Sequence, residues 1–147
     1  MYCCVLVYYK RFGCLSVVVA PAYKVTTFGR YSGKFITFGT NHPLKLHFLK
    51  GHLPSVRYGI YGGELTPDNV TIEHLQPRSK GGKTTYNNIA LATKLNNNRR
   101  SSHPLKNYLT DTMADEYLNQ FRGVEVDDFS GDRYIRRVEP TIRRLLK

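Results

Sequence analysis

The 147 residues, 41% hydrophobic and 22% charged, suit one soluble globular domain, or one domain with small appendages, rather than several. Twenty-two Lys and Arg against eleven Asp and Glu give a formal charge of +11, more than solubility requires, which points to a polyanionic partner. No apolar run approaches the roughly 20 residues of a bilayer crossing, and the apolar fraction is too high for wholesale disorder, so membrane-spanning and unstructured roles are set aside.

The charge is uneven along the chain. Met1 to Gly63 holds eight basic residues and no acidic one, Glu64 to Thr110 seven against three, and Asp111 to Lys147 seven against eight. A membrane surface is met more typically by a basic amphipathic helix, and none is evident in the first three quarters of the chain, so nucleic acid is the better match. The three cysteines, Cys3, Cys4 and Cys14, are too few and too clustered for a disulfide framework or a four-ligand zinc site, which fits a reducing cytoplasm.

At the start, Lys10-Arg11 before the apolar Phe12 to Val19 and Ala20-Pro21-Ala22 faintly mimics a secretory leader. The stretch before it, Cys3 to Tyr9, is itself apolar and rich in strand formers, so strand, basic turn, strand is the preferred reading. Val5 to Tyr9, Leu15 to Val19, Tyr23 to Phe28 and Lys34 to Phe38 read as a small antiparallel sheet separated by turns such as Gly29 to Lys34. Arg30 and Lys34 beside aromatics make it a candidate docking face for nucleic acid, with an ordinary half-buried sheet as the plain alternative. Asn41 to Val56 is a connector with one more strand or a short helix. Its histidines, His42, His47 and His52, are five apart, which matches neither one helix face nor one strand face and argues against a shared metal site.

The central segment carries the chemistry. Val70 to His74 is a strand that ends in Glu73-His74; a loop with Pro77, Gly81-Gly82 and the basic Arg78, Lys80 and Lys83 follows; Ile89 to Ala92 is a second strand, and a polar segment runs through Asn96-Asn97-Asn98 to Arg99-Arg100. A carboxylate can hold a hard cation and a neutral imidazole can take a proton from water, which together suit phosphodiester hydrolysis. Further on, Thr110 to Phe121 reads as a helix capped by Thr112 or Asp111 with Met113, Tyr117 and Phe121 as its stripe, and Gly123 ends it. Asp127 to Asp132 reads as an acidic turn, and Pro140 opens a last short helix, Thr141 to Leu146.

With Glu73-His74, Pro77, Gly81-Gly82, Asn88-Ile89 and Asn97 at fixed spacings, the segment resembles the HNH endonuclease motif, the ββα-metal nuclease fold, over about fifty residues. The resemblance implies His74 as the general base, its tautomer fixed by a hydrogen bond to a backbone carbonyl, and Glu73 and Asn97 as ligands of one Mg²⁺ or Mn²⁺. It implies Asn88 as the residue that pins the loop and orients His74. Arg99, Arg100, Lys80 and Lys83 are phosphate holders, Arg100 standing where the family often has a basic residue. Any of Asn96, Asn97 and Asn98 could face the ion, since neighbours on a helix point in different directions. His103 could be an extra ligand or a plain surface residue.

Two departures from the family pattern stand out. Glu73 replaces the usual Asp. The paired Cys-x-x-Cys positions that hold a structural zinc in many members correspond to Tyr58, Tyr61, Thr93 and Asn96, so no such zinc is expected, and packing of the two tyrosines could take over the stapling. The expected architecture is α+β: a basic β-rich region over 1–52, the ββα-metal motif over 53–107 and a helical extension over 108–147. The expected activity is metal-dependent cleavage of double-stranded DNA to 5′-phosphate and 3′-hydroxyl ends by a free-standing homing or phage-type enzyme, in the host cytoplasm if phage-encoded, with a homodimer as one route to a double-strand break. The competing classes are a non-catalytic nucleic-acid-binding protein with a relic motif and a basic ribonucleoprotein component.

Overall fold

A computed structural model of the chain describes residues 42–147 and, before them, the strand segments β1 (Lys10–Arg11), β2 (Cys14–Leu15), β3 (Phe28–Tyr31) and β4 (Lys34–Thr37). The expected strand Val5–Tyr9, the remainder of Leu15–Val19 and of Tyr23–Phe28, and the side chains of Arg30 and Lys34 lie outside the described residues. Contacts divide the chain into two compact units, Met1–Thr40 and Asn41–Lys147, so residues 41–52 belong with the second.

In the first unit β1 pairs antiparallel with β2, and β3 with β4 from Phe28 opposite Thr37 to Tyr31 opposite Lys34. Among the described residues these are two separate hairpins rather than one sheet. Lys10-Arg11 and Gly29 to Tyr31, expected as turns, are paired strand, because tight hairpins carry the ladder to within two residues of the reversal.

The second unit begins with α1 (Pro43–Leu49), whose N-cap His42 accepts the Leu44 N–H on Nδ1 at 3.2 Å. Proline at the first helical position suits this start. Next come β5 (Val70–His74) and β6 (Ile89–Thr93), antiparallel with Val70 opposite Thr93 and His74 opposite Ile89, and α2 (Lys94–Arg100), capped by the Thr93 hydroxyl. This is the expected strand, loop, strand, helix order. The molecule continues through α3 (Asp111–Asn119), the hairpin β7 (Glu125–Val126) and β8 (Phe129–Ser130), and α4 (Gly131–Leu146). With four small antiparallel sheets among the described residues and a helical C-terminal part, the architecture is α+β.

All five residues of β6 are buried, which leaves its outer edge without a strand partner deep in the core. Tyrosines from the C-terminal helices complete that edge together with the Ile60 N–H, which donates to the Leu91 carbonyl at 2.8 Å. Leu91 N–H donates to the Tyr117 hydroxyl at 2.9 Å, the two hydroxyls of Tyr117 and Tyr134 meet at 3.0 Å, and Tyr134 donates to the Ile89 carbonyl at 2.9 Å. Buried backbone groups left unpaired each cost about 1–3 kcal/mol, so the two phenols are structural partners of the strand as well as core filling.

Two C-terminal expectations need correction. The α3 cap is Thr110, whose hydroxyl accepts the Met113 N–H at 3.2 Å, rather than Thr112 or Asp111. The last helix starts after the cap Ser130 and runs through Pro140 instead of beginning there. The buried stripe Tyr134, Ile135, Val138 and Ile142 explains this, because it continues across the proline at helical spacing. Pro140 itself is exposed, so the backbone carbonyl it leaves without a donor can be hydrated, and apolar burial of about 1.5–3 kcal/mol per side chain outweighs the proline penalty of about 3.

Candidate active site

Alternation along β5 sends Glu73 and His74 to opposite sides. Their surroundings differ accordingly. Glu73 is 1% exposed and pairs with Arg100, also 1% exposed. The guanidinium further donates to the carbonyls of His74 and Leu75, both at 2.7 Å, and its Nε to the His103 carbonyl at 3.0 Å. Arg100 therefore knots the end of β5, the end of α2 and the segment beyond it. It is sealed from solvent, so it is not placed to hold a phosphate. Burial raises Glu73 to about 7, opposed by the Arg100 charge and hydrogen bond and by the Tyr61 hydroxyl.

His74 is only half-buried and sits at the mouth of the loop. Its Nε2 lies 2.8 Å from the Thr84 hydroxyl, so the ring is oriented by a side chain of the loop and not by the expected backbone carbonyl. Burial, reinforced by the positive charge of Arg78, lowers its pKa from the ordinary imidazole value. A neutral ring at pH 7 follows, which is the form that accepts a proton.

The loop is held as the sequence implies. Asn88 accepts the Gln76 N–H at 2.9 Å and donates to the carbonyls of Gln76 at 3.1 Å and Lys83 at 2.9 Å, clamping both arms. Both glycines are required, for different reasons. Gly81 has φ +82°, and a Cβ at Gly82 would lie 1.8 Å from the Gln76 carbonyl oxygen. Lys80, Lys83 and Arg99 are exposed and can reach an anion.

Of the three asparagines on α2, Asn97 faces the hairpin: its Nδ2 donates to the Ile72 carbonyl at 3.0 Å. Asn96 packs near Gly63 and Asn98 is exposed. Glu73 Oε2 and the neighbouring Tyr61 hydroxyl are both buried with no hydrogen bond at normal distance, while Oε1 is taken by Arg100. A carboxylate oxygen and an amide oxygen are hard donors and in type suit a divalent cation, but the carboxylate is sealed with Arg100 and leaves β5 on the side opposite His74. His103 is exposed and stacks on Tyr108 at 6.2 Å, with no link to His74.

At the positions where the family carries zinc thiolates, Tyr61 packs against the core but Tyr58 is 50% exposed. The strap is Gln120 instead, whose Oε1 accepts the N–H groups of Arg57 and Tyr58 at 2.9 Å and whose Nε2 donates to the Tyr58 carbonyl at 3.0 Å. Gly63 closes on Thr93 and Asn96, where a Cβ would come within 2.8 Å of Thr93 and 2.9 Å of Asn96. The two halves that thiolates would bridge thus still touch.

Residues 60–102 match the family model of HNH endonucleases. No curated protein and no solved structure matches the chain. The HNH match covers the hairpin, the pinned loop and α2, so the motif that suggests nuclease-type chemistry coincides with a place where an oriented imidazole meets exposed basic residues. Sequence reasoning missed two residues around the HNH segment, Thr84 and Gln120, and gave a third, Arg100, a phosphate-holding role that its burial against Glu73 overturns. Thr84 carries no spacing signal. Arg100 lies three residues after Asn97 and shares its inward face, but a basic residue in the last turn of a helix ordinarily faces water. Gln120 lies far along the chain and gives no signal.

Proposed function

We propose that the protein is a metal-dependent DNA endonuclease of the HNH type. The observation that carries this reading is His74, a ring with a lowered pKa fixed by Thr84 at the mouth of a loop clamped by Asn88. If Nε2–H donates to Thr84, Nδ1 keeps its lone pair and takes the proton from the attacking water. Asn88 holds the loop, and through it Thr84, in register. Lys80, Lys83 and Arg99 bind backbone phosphates, with Arg30 and Lys34 of the first unit adding to affinity. Glu73 and Asn97 are the residues whose donor types suit Mg²⁺ or Mn²⁺, which when bound stabilises the charge that develops on the phosphate and the leaving 3′ oxygen. Arg100 keeps Glu73 and the end of β5 in place.

Double-stranded DNA is the proposed substrate and a free-standing homing or phage-type enzyme the proposed class. One motif per chain gives one cut per active site, so a double-strand break requires two copies or two successive nicks. The test is plasmid cleavage by purified protein titrated with Mg²⁺ or Mn²⁺, on a gel that resolves nicked from linear product. Metal-dependent nicking abolished by EDTA is expected. Binding without cleavage at every metal concentration would leave a nucleic-acid-binding protein with a relic motif.

A further inference from the structure

A second set of metal-type donors lies away from the HNH hairpin. α1 ends at Leu49, and Gly51, with φ +74°, turns the chain back so that His52 N–H donates to the His47 carbonyl at 2.9 Å. This reversal brings together two histidines whose five-residue spacing excludes one face of a regular element. Their Nδ1 atoms lie 3.4 Å apart. Asp127, at the turn between β7 and β8, completes the group: its Oδ2 is 3.7 Å from His52 Nδ1, and the three donor atoms all lie within 4.8 Å of one another. The other nitrogen of His47, Nε2, faces Asp128 Oδ1 at 3.5 Å.

We infer that His47, His52 and Asp127 form a Zn²⁺ site that staples the turn after α1 to the β7–β8 hairpin. The distances favour shared ligation over direct bonding. A nitrogen-to-nitrogen separation of 3.4 Å is long for a hydrogen bond, whose heavy atoms lie about 2.7–3.2 Å apart. It is the separation of two nitrogens each about 2.0–2.1 Å from one tetrahedral zinc, which is roughly 3.3–3.4 Å. Asp127 is exposed, and a side-chain rotation suffices to bring its oxygen to the same distance.

The tautomers agree as well. Ligation through Nδ1 requires His47 to carry its proton on Nε2, and that is the atom turned to Asp128, giving the carboxylate–histidine–metal relay that fixes a ligand ring. His47 is further held by Phe129, with ring centroids 5.3 Å apart. Two imidazoles and one carboxylate suit zinc better than magnesium or calcium, which prefer all-oxygen shells. The absent thiols at Tyr58, Tyr61, Thr93 and Asn96 speak only to a zinc in that other place.

The experiment uses the full chain, stripped with EDTA and titrated with Zn²⁺ by calorimetry and thermal unfolding, and in parallel with Co²⁺ by visible absorption. The expected result is one Zn²⁺ per chain, a Tm rise of at least about 5 °C at saturating metal, and Co²⁺ bands without thiolate charge transfer. His52→Gln should remove the Tm rise. Asp127→Asn, which keeps a residue tolerant of the positive φ at that turn, should weaken binding at least tenfold, and Asp128→Asn about 10–100-fold. Both target the exposed turn, so folding is not at risk as it would be at buried His47. No stoichiometric uptake, uptake unchanged in His52→Gln and Asp127→Asn, or thiolate bands in the Co²⁺ spectrum would overturn the site. A Tm rise lost in His74→Ala would place the ion at the HNH motif and overturn it too.

Discussion

On one side of β5 the Glu73 carboxylate is enclosed with Arg100 and Tyr61; on the other, His74 is open to the loop with Thr84, Arg78 and the lysines nearby. Neighbouring residues of one strand thus meet two environments. The enclosed side is organised by hydrogen bonds to carbonyls and an ion pair removed from water, which serves the geometry of the strand end. The open side holds a neutral ring beside positive charge, an environment that suits proton transfer and anion binding. The contrast teaches that substitutions in adjacent positions should separate into two kinds, one read in stability and one in rate.

The largest effect is expected on the enclosed side. Arg100→Ala leaves Glu73 buried without its cation and three carbonyls without their donor, and should lower unfolding free energy by about 3–5 kcal/mol in urea titration. Adding Glu73→Gln to it should recover part of the loss, because an amide carries no charge into the core. A loss under about 1 kcal/mol for Arg100→Ala would mean that the pair is solvated, and the contrast between the two sides would dissolve.

A smaller effect is expected at His42, the buried cap of α1, which the charge of His74 reaches. His42 is held at about 4, first by burial and then by the charge of His74, and its Nδ1 must stay unprotonated to accept the Leu44 N–H. Its folded pKa lies below the unfolded value of 6.5, so the unfolded chain binds the proton first. Stability is fully present above pH 6.5 and declines as pH falls from 6.5 toward 4, by roughly 2 kcal/mol from this group. His42→Asn keeps a capping side chain that does not titrate. The difference in stability between wild type and variant should therefore change across that window in urea titrations, and a constant difference would show that the ring is solvated.

How far the sequence revealed this arrangement depends on the range of the interactions. Asn88, the two glycines and Asn97 stand at spacings set by one hairpin and one helix, so the clamp on the loop and the inward side chain of Asn97 were legible. The inward turn of Arg100 was not, because a basic residue in the last turn of a helix ordinarily faces water and its partner lies 27 positions away. The extension of α4 through Pro140 was hidden by a local rule that the buried stripe overrides. The meeting of His47 and His52 was hidden because the spacing argument assumes a regular element, and the chain reverses at Gly51. The phenols that finish the β6 edge read only as apolar stripe.

The central claim is that the HNH hairpin cuts DNA with His74 as its base. It is tested most directly by comparing wild type and His74→Ala for plasmid nicking in Mg²⁺ or Mn²⁺, with DNA affinity and urea stability measured on the same preparations. The account predicts a rate loss of about 10²–10⁴-fold at nearly unchanged affinity and stability. Equal nicking by the two proteins, or equal loss of binding and cutting, would contradict it.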